Sequence, residues 1–90
     1  MESLPDYFYV KANEKLKQHS ELRFEWFQED SKKILKIFKN SGNGFDIKIE
    51  CETYGLYPSV DGWHGAPWDS SVMEFEDICQ ECLGFIRSLL

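Results

Sequence analysis

The 90-residue chain carries 10 Lys and Arg against 16 Asp and Glu, a formal charge of −6, with 42% hydrophobic and 16% aromatic residues. A chain of this length holds one hydrophobic core rather than two, and its apolar fraction excludes the composition of intrinsic disorder. Residues 1–90 are therefore expected to form a single domain that folds without disulfide staples.

Beyond Pro5 and Asp6, the residues Phe8, Ala12 and Leu16 recur at four-residue spacing among Lys and Glu, which predicts an amphipathic helix over 7–18 started by Asp6. Leu22, Phe24 and Trp26 alternate with Arg23, Glu25 and Phe27, the period of a half-buried strand over 21–28. At 33–39, Ile34, Leu35 and Phe38 suit a helical face as well as a short buried strand. Strand is preferred because Asn40-Ser41-Gly42-Asn43-Gly44 reads as a turn, and Phe45, Ile47, Ile49, Cys51 and Thr53 then alternate with polar residues, so that two strands form a hairpin.

Residues 54–69 contain Gly55, Gly62, Gly65, Pro58 and Pro67 and no sustained period, so the segment reads as one long aromatic loop. From Ser71 the pattern turns helical: Ser71 and Glu74 form a capping-box pair, and Val72, Phe75, Ile78, Cys79, Cys82, Phe85, Ile86 and Leu89 make an apolar stripe. Glu74, Glu76 and Asp77 near the start and Arg87 near the end match the helix dipole. The expected fold is α+β, a three-stranded antiparallel meander flanked by an N-terminal and a C-terminal helix (α-β-β-β-α).

Charge divides the chain. Residues 1–50 are neutral, whereas residues 51–90 hold Arg87 alone against Glu52, Asp61, Asp69, Glu74, Glu76, Asp77 and Glu81. Such a half repels phosphate backbones, so nucleic acid is not an expected ligand and a basic protein is. The opening residues show no basic leader followed by an apolar run, and no segment approaches the ~20 apolar residues of a membrane span, so neither export nor a membrane is expected. Cys51, Cys79 and Cys82 without such a leader point to reduced thiols and a cytoplasmic location.

Four sets of residues invite a functional reading. Tyr54, Tyr57, Trp63, His64 and Trp68 concentrate rigid aromatic contact area, which serves equally as a binding surface or as lids over the core. His64, flanked by Asp61 and Asp69, could act as a general base, with Ser59, Ser70 or Cys51 as nucleophile; the plainer reading is a histidine that holds loop shape. Cys51, Cys79, Cys82 and His64 are zinc-ligand types, but the two helical thiols fall within the apolar stripe, so no metal and no cofactor are expected. Glu74, Asp77 and Glu81 share one helix face, either as a solvated surface or as an acidic ridge. The leading expectation is an interaction module, such as an inhibitor or immunity-type protein masking a basic partner. The alternative is a small-molecule-binding or hydrolytic domain using the 54–69 loop with His64 as base.

Overall fold

The structure, a computed structural model, describes residues 3–19, 22–30, 32–38 and 46–89. Helix α1 spans Leu4–Leu16 and begins a turn earlier than its apolar spacing predicts, because Ser3 rather than Asp6 caps it. The Ser3 hydroxyl accepts the Asp6 N–H at 3.4 Å, and Pro5 sits in the first turn, where a missing donor breaks no helical bond. Asp6 instead receives Lys33 Nζ at 3.0 Å, tying the start of α1 to the sheet.

Strands β1 (Arg23–Glu29), β2 (Lys32–Phe38) and β3 (Ile47–Glu52) form an antiparallel meander, as the alternation predicts, and the ambiguous segment at 33–39 is strand over its described part. The proposed turn at 40–44, together with Lys39 and Phe45, lies outside the described residues.

The sheet does not stop at three strands. The segment read as a long loop instead carries β4 (Gly55–Val60), β5 (Trp63–His64) and β6 (Trp68–Asp69), giving the order β1-β2-β3-β4-β5 with β6 also paired to β4. Pro58 is what disguises β4. Within a strand a residue's N and C=O point to the same side, and the Pro58 carbonyl accepts the Gly65 N–H at 3.1 Å. The proline nitrogen therefore faces away from β3, and its missing donor removes nothing from the β3–β4 ladder. Gly55 is forced by crowding: a Cβ there would meet the Trp68 carbonyl oxygen at 2.9 Å.

Helix α2 spans Phe75–Ser88 with Glu74 at its N-cap making no side-chain cap bond, so the predicted Ser71–Glu74 capping box does not form and Val72 lies outside the helix. Ser71 serves the preceding turn instead, its N–H donating to Asp69 Oδ1 at 2.8 Å.

Both helices cover one face of the sheet. Leu4, Phe8, Ala12 and Leu16 from α1 meet Ile78, Cys79, Cys82 and Ile86 from α2 over Leu35, Ile37, Ile47, Ile49, Cys51 and Leu56. The helices run in the same direction: Tyr7 and Phe75 near their starts meet at a tilt with ring centres 5.9 Å apart, while Leu16 and Ile86 near their ends line a common groove. Trp26 closes the β1 side, donating Nε1–H to Asn13 Oδ1 at 3.0 Å and packing against Tyr9 at 4.8 Å. The other sheet face carries no helix and presents Arg23, Glu25, Phe27, Lys36, Lys48, Tyr57 and His64. Among the described residues no helix is long and apolar enough to cross a membrane.

This packing ranks the phenylalanines. Phe8 is fully buried, whereas Phe75 and Phe85 are half-buried at the margins of α2. Phe8→Ala should cost ~3–5 kcal/mol and Phe85→Ala roughly half that. Urea denaturation midpoints check this ranking, and an equal loss at both positions would contradict it.

Candidate functional site

The residues singled out along 54–69 are distributed by β4 to both of its ends. After Val60 the chain reverses through Asp61 (φ 49°) and Gly62 (φ 85°), with Val60 and Trp63 as the closing pair. Two consecutive positive φ angles define the tight hairpin turn whose twist suits antiparallel strands, and Asp-Gly is a sequence that adopts it readily. Asp61 is doubly tied to the start of β3: its N–H donates to the Asp46 carbonyl at 2.8 Å, and its Oδ1 accepts the Asp46 N–H at 2.9 Å.

At the other end of β4, Asp69 lies opposite Gly55. Its Oδ1 accepts the Ser71 N–H, and hydrogen bonding to Ser71 holds the carboxyl below its usual range. His64 lies opposite Ser59, four residues along β4 from Gly55, a separation of ~13 Å at strand rise. The structure thus gives Asp61 and Asp69 separate turn-holding roles: Asp69 lies at the far end of β4 from His64, whereas Asp61 lines the same cleft as His64 and Ser59.

Between β5 and β6, residues 65, 66 and 67 face only 57 and 58, a one-residue bulge that the shift between the two registers requires. The bulge separates two aromatic environments. Trp68, on β6, is half-buried and meets Phe85 edge-on at 5.7 Å, so it is a lid on the core. Trp63, on β5, is 72% exposed. It shares the helix-bearing face through its register with Val60 and Ile47, yet projects beyond the helices at the sheet margin. Tyr54 is 73% exposed in the β3–β4 turn at the opposite end of β4, and its carbonyl accepts the Ser70 N–H at 2.8 Å. Tyr57 lies on the helix-free face.

Glu74, Asp77 and Glu81 are exposed along α2, on the flank that turns away from α1. Phe85 belongs to the same side and packs onto Trp68, which places the acidic flank above the β5–β6 margin. Trp63 and this acidic flank therefore share one side of the molecule, Tyr54 and Val72 extend it at the start of α2, and Tyr57 is excluded from it. Exposed Val72 was not among the sequence candidates, since its place in the apolar stripe pointed to the core.

The three thiols are buried in the core. Burial pushes Cys51 up to about 12 and Cys79 up to about 11, and Cys82 rises well above its ordinary value. A protonated, enclosed thiol is a poor nucleophile and a poor metal ligand. Among the described residues, no group of three or more His, Cys, Asp and Glu comes together in a way that could hold a metal ion.

Sequence reasoning missed one further feature, a cleft of about 520 Å³ on the helix-free face lined by Lys36, Phe38, Lys48, Ser59, Asp61 and His64. Lys36, Lys48, Ser59 and His64 form a continuous cross-strand row from β2 to β5. The directly opposed lysines would repel. Lys36 turns over the Phe27 ring at 4.8 Å and Lys48 toward Glu50 at 3.3 Å, which draws both charges away from the row. The Asp61-Gly62 pair was the available signal, because it marks the end of β4 from which this row is registered.

No protein-family model, no curated protein and no solved structure matches the chain.

The thiols generate a pH prediction with a definite sign. A group whose pKa is raised by folding keeps more protons in the native state, so its contribution is fully present below the unfolded value near 9 and is lost as pH rises through about 11–12. The urea midpoint should fall above pH 9, and Cys51→Val should reduce that fall. A thiol-specific reagent should modify the native protein only slowly at neutral pH and rapidly once urea is added. Fast native modification would place the cysteines outside the core.

Proposed function

We propose that this chain is a protein-interaction module that engages a basic protein partner, in the manner of an inhibitor or immunity-type protein. The observation that carries this reading is the exposure of Trp63 on a short, doubly anchored hairpin at the sheet margin over which α2 carries its exposed carboxylates. A tryptophan held on a rigid turn loses little conformational freedom on binding, which suits a hot-spot anchor. Glu74, Asp77 and Glu81 add a field that favours encounter with cations, and Arg87 is the basic residue in the last turn of the same helix.

The small-molecule alternative has a specific feature behind it, the helix-free cleft with His64 opposite Ser59. Two observations weigh against the hydrolytic version: Asp69, one of the two carboxylates flanking His64 in sequence, holds a separate turn at the other end of β4, and Cys51 is buried in the core. The cleft remains a place where a ligand could rest without chemistry.

The experiment is crosslinking and co-purification from the native host, followed by affinity measurement with the captured protein. Trp63→Ala should weaken binding by ~2 kcal/mol or more while leaving the thermal melt nearly unchanged. Asp77→Lys combined with Glu81→Lys should slow association and flatten its salt dependence. A captured partner that is acidic, or one indifferent to both changes, would reject the proposal. Loss of small-molecule binding in His64→Ala with protein binding intact would favour the cleft.

A further inference from the structure

We propose that β1 is a self-association edge, along which two copies of the chain pair antiparallel about a two-fold axis at Trp26. The two margins of the sheet are built differently. The β5–β6 margin has two-residue strands, a bulge and Pro67, the features that blunt an edge against pairing. The β1 margin is one uninterrupted seven-residue strand without proline, and α1 packs over β3 while reaching β1 through the side-chain contacts of Trp26.

The direction of every backbone group on β1 follows from the ladder. The Pro58 carbonyl points toward β5, so Gly55, Tyr57 and Ser59 point toward β3. Passing this alternation through the registers, Lys48, Glu50 and Glu52 bond to β4, and Ile37, Leu35 and Lys33 bond to β3. Lys32, Ile34, Lys36 and Phe38 then bond to Glu29, Phe27, Glu25 and Arg23. What remains on the outer side of β1 is the N–H and C=O of Phe24, Trp26 and Gln28.

A second copy that extends the sheet with its helices on the same face allows few registers. Centred on Trp26, the outward residues pair completely: Trp26 with its symmetry mate, Phe24 with Gln28, and Gln28 with Phe24. Each facing pair exchanges two hydrogen bonds. Centred on Glu25 or Phe27, one outward residue of each copy is left over. Charge selects the same register. Centring on Glu25 opposes it to its own mate, and centring on Phe27 opposes Glu25 to Glu29, whereas the Trp26 register sets Arg23 against Glu29 twice and brings no like charges face to face. The Trp26 rings, half-buried on the helix-bearing face, also meet across the axis.

Sedimentation equilibrium of the full chain from micromolar to millimolar concentration should show the mass rising from 10.6 kDa toward twice that value. Over the same range, amide exchange should slow at Phe24, Trp26 and Gln28, whose groups face outward, and change little at Glu25 and Phe27, already bonded to β2. Gln28→Pro removes an outward N–H and leaves the β1–β2 ladder whole. It should weaken association roughly tenfold or more through two symmetry-related bonds. Arg23→Glu and Glu29→Arg should each weaken it, and the double exchange should restore it. A mass fixed at 10.6 kDa with concentration-independent exchange, or a double variant no stronger than either single one, overturns the proposal.

Discussion

The alternation of Ile47, Ile49 and Cys51 against Lys48, Glu50 and Glu52 is the constraint from which the rest of this structure follows. Strand β3 lies in the middle of the sheet, so its buried row determines which face receives both helices. Pairing transmits that choice outward: Ile37 and Leu35 on one side, Val60, Pro58 and Leu56 on the other, inherit the helix-bearing face from their β3 partners. A one-residue slip of β3 would place its isoleucines on the open face and leave Phe8 and Ile78 without a floor. Trp63 also owes its position to this strand, through Val60 and Ile47.

Much of this was legible because it rests on period. Strands β1 and β3 are written in alternation of apolar and polar residues and the helix over 75–88 in an apolar stripe of helical period, and the structure places them accordingly; β2, with Ile34 and Leu35 adjacent, was legible only through the strands on either side of it. Strand β4 was not legible because its two irregular residues owe their place to tertiary circumstances. Gly55 is needed where the Trp68 carbonyl comes close, and Pro58 is harmless because its nitrogen faces away from the β3 ladder. Neither circumstance appears in a window of neighbouring residues. Asp61-Gly62 did carry a local hairpin signal, and with it Val60 and Trp63 read as strand ends rather than loop. The helix starts shifted for the complementary reason. Ser3 and Glu74 take the cap positions, while Asp6 and Ser71, the local favourites, are engaged by Lys33 and Asp69.

The acidity of the second half also separates into roles once the contacts are known. Asp61 and Asp69 hold turns, and Glu52 is paired with Lys32 at 3.4 Å. The charge without a turn to hold therefore falls on α2, in Glu74, Glu76, Asp77 and Glu81, with the first three at its beginning, where the helix dipole favours them. Glu81 stands further along, at a repulsive four-residue spacing from Asp77. A surface selected only for solubility gains little by concentrating like charges there, whereas a surface that meets a cationic protein gains attraction and recovers the repulsion on binding.

The two margins of the sheet then have opposite characters. One is blunted by a bulge and proline and carries the exposed tryptophan and the acidic flank; the other is long, regular and complementary to itself. Pairing through β1 would join two five-strand paths into a sheet of ten strands, with the β5 margins nine strand spacings apart, about 43 Å at the usual inter-strand distance. Because both copies keep their helices on one face, the acidic flanks would stand at the two far ends of a single continuous surface. An assembly of that shape cannot bring both flanks onto one small basic protein. It can hold two such proteins at once, or bind a repetitive cationic surface with the gain in apparent affinity that linked sites confer when their spacing matches the target. In such an assembly the β1 edge would bear on the proposed function without contributing a residue to the acidic flank, since it would set how many flanks are presented and how far apart.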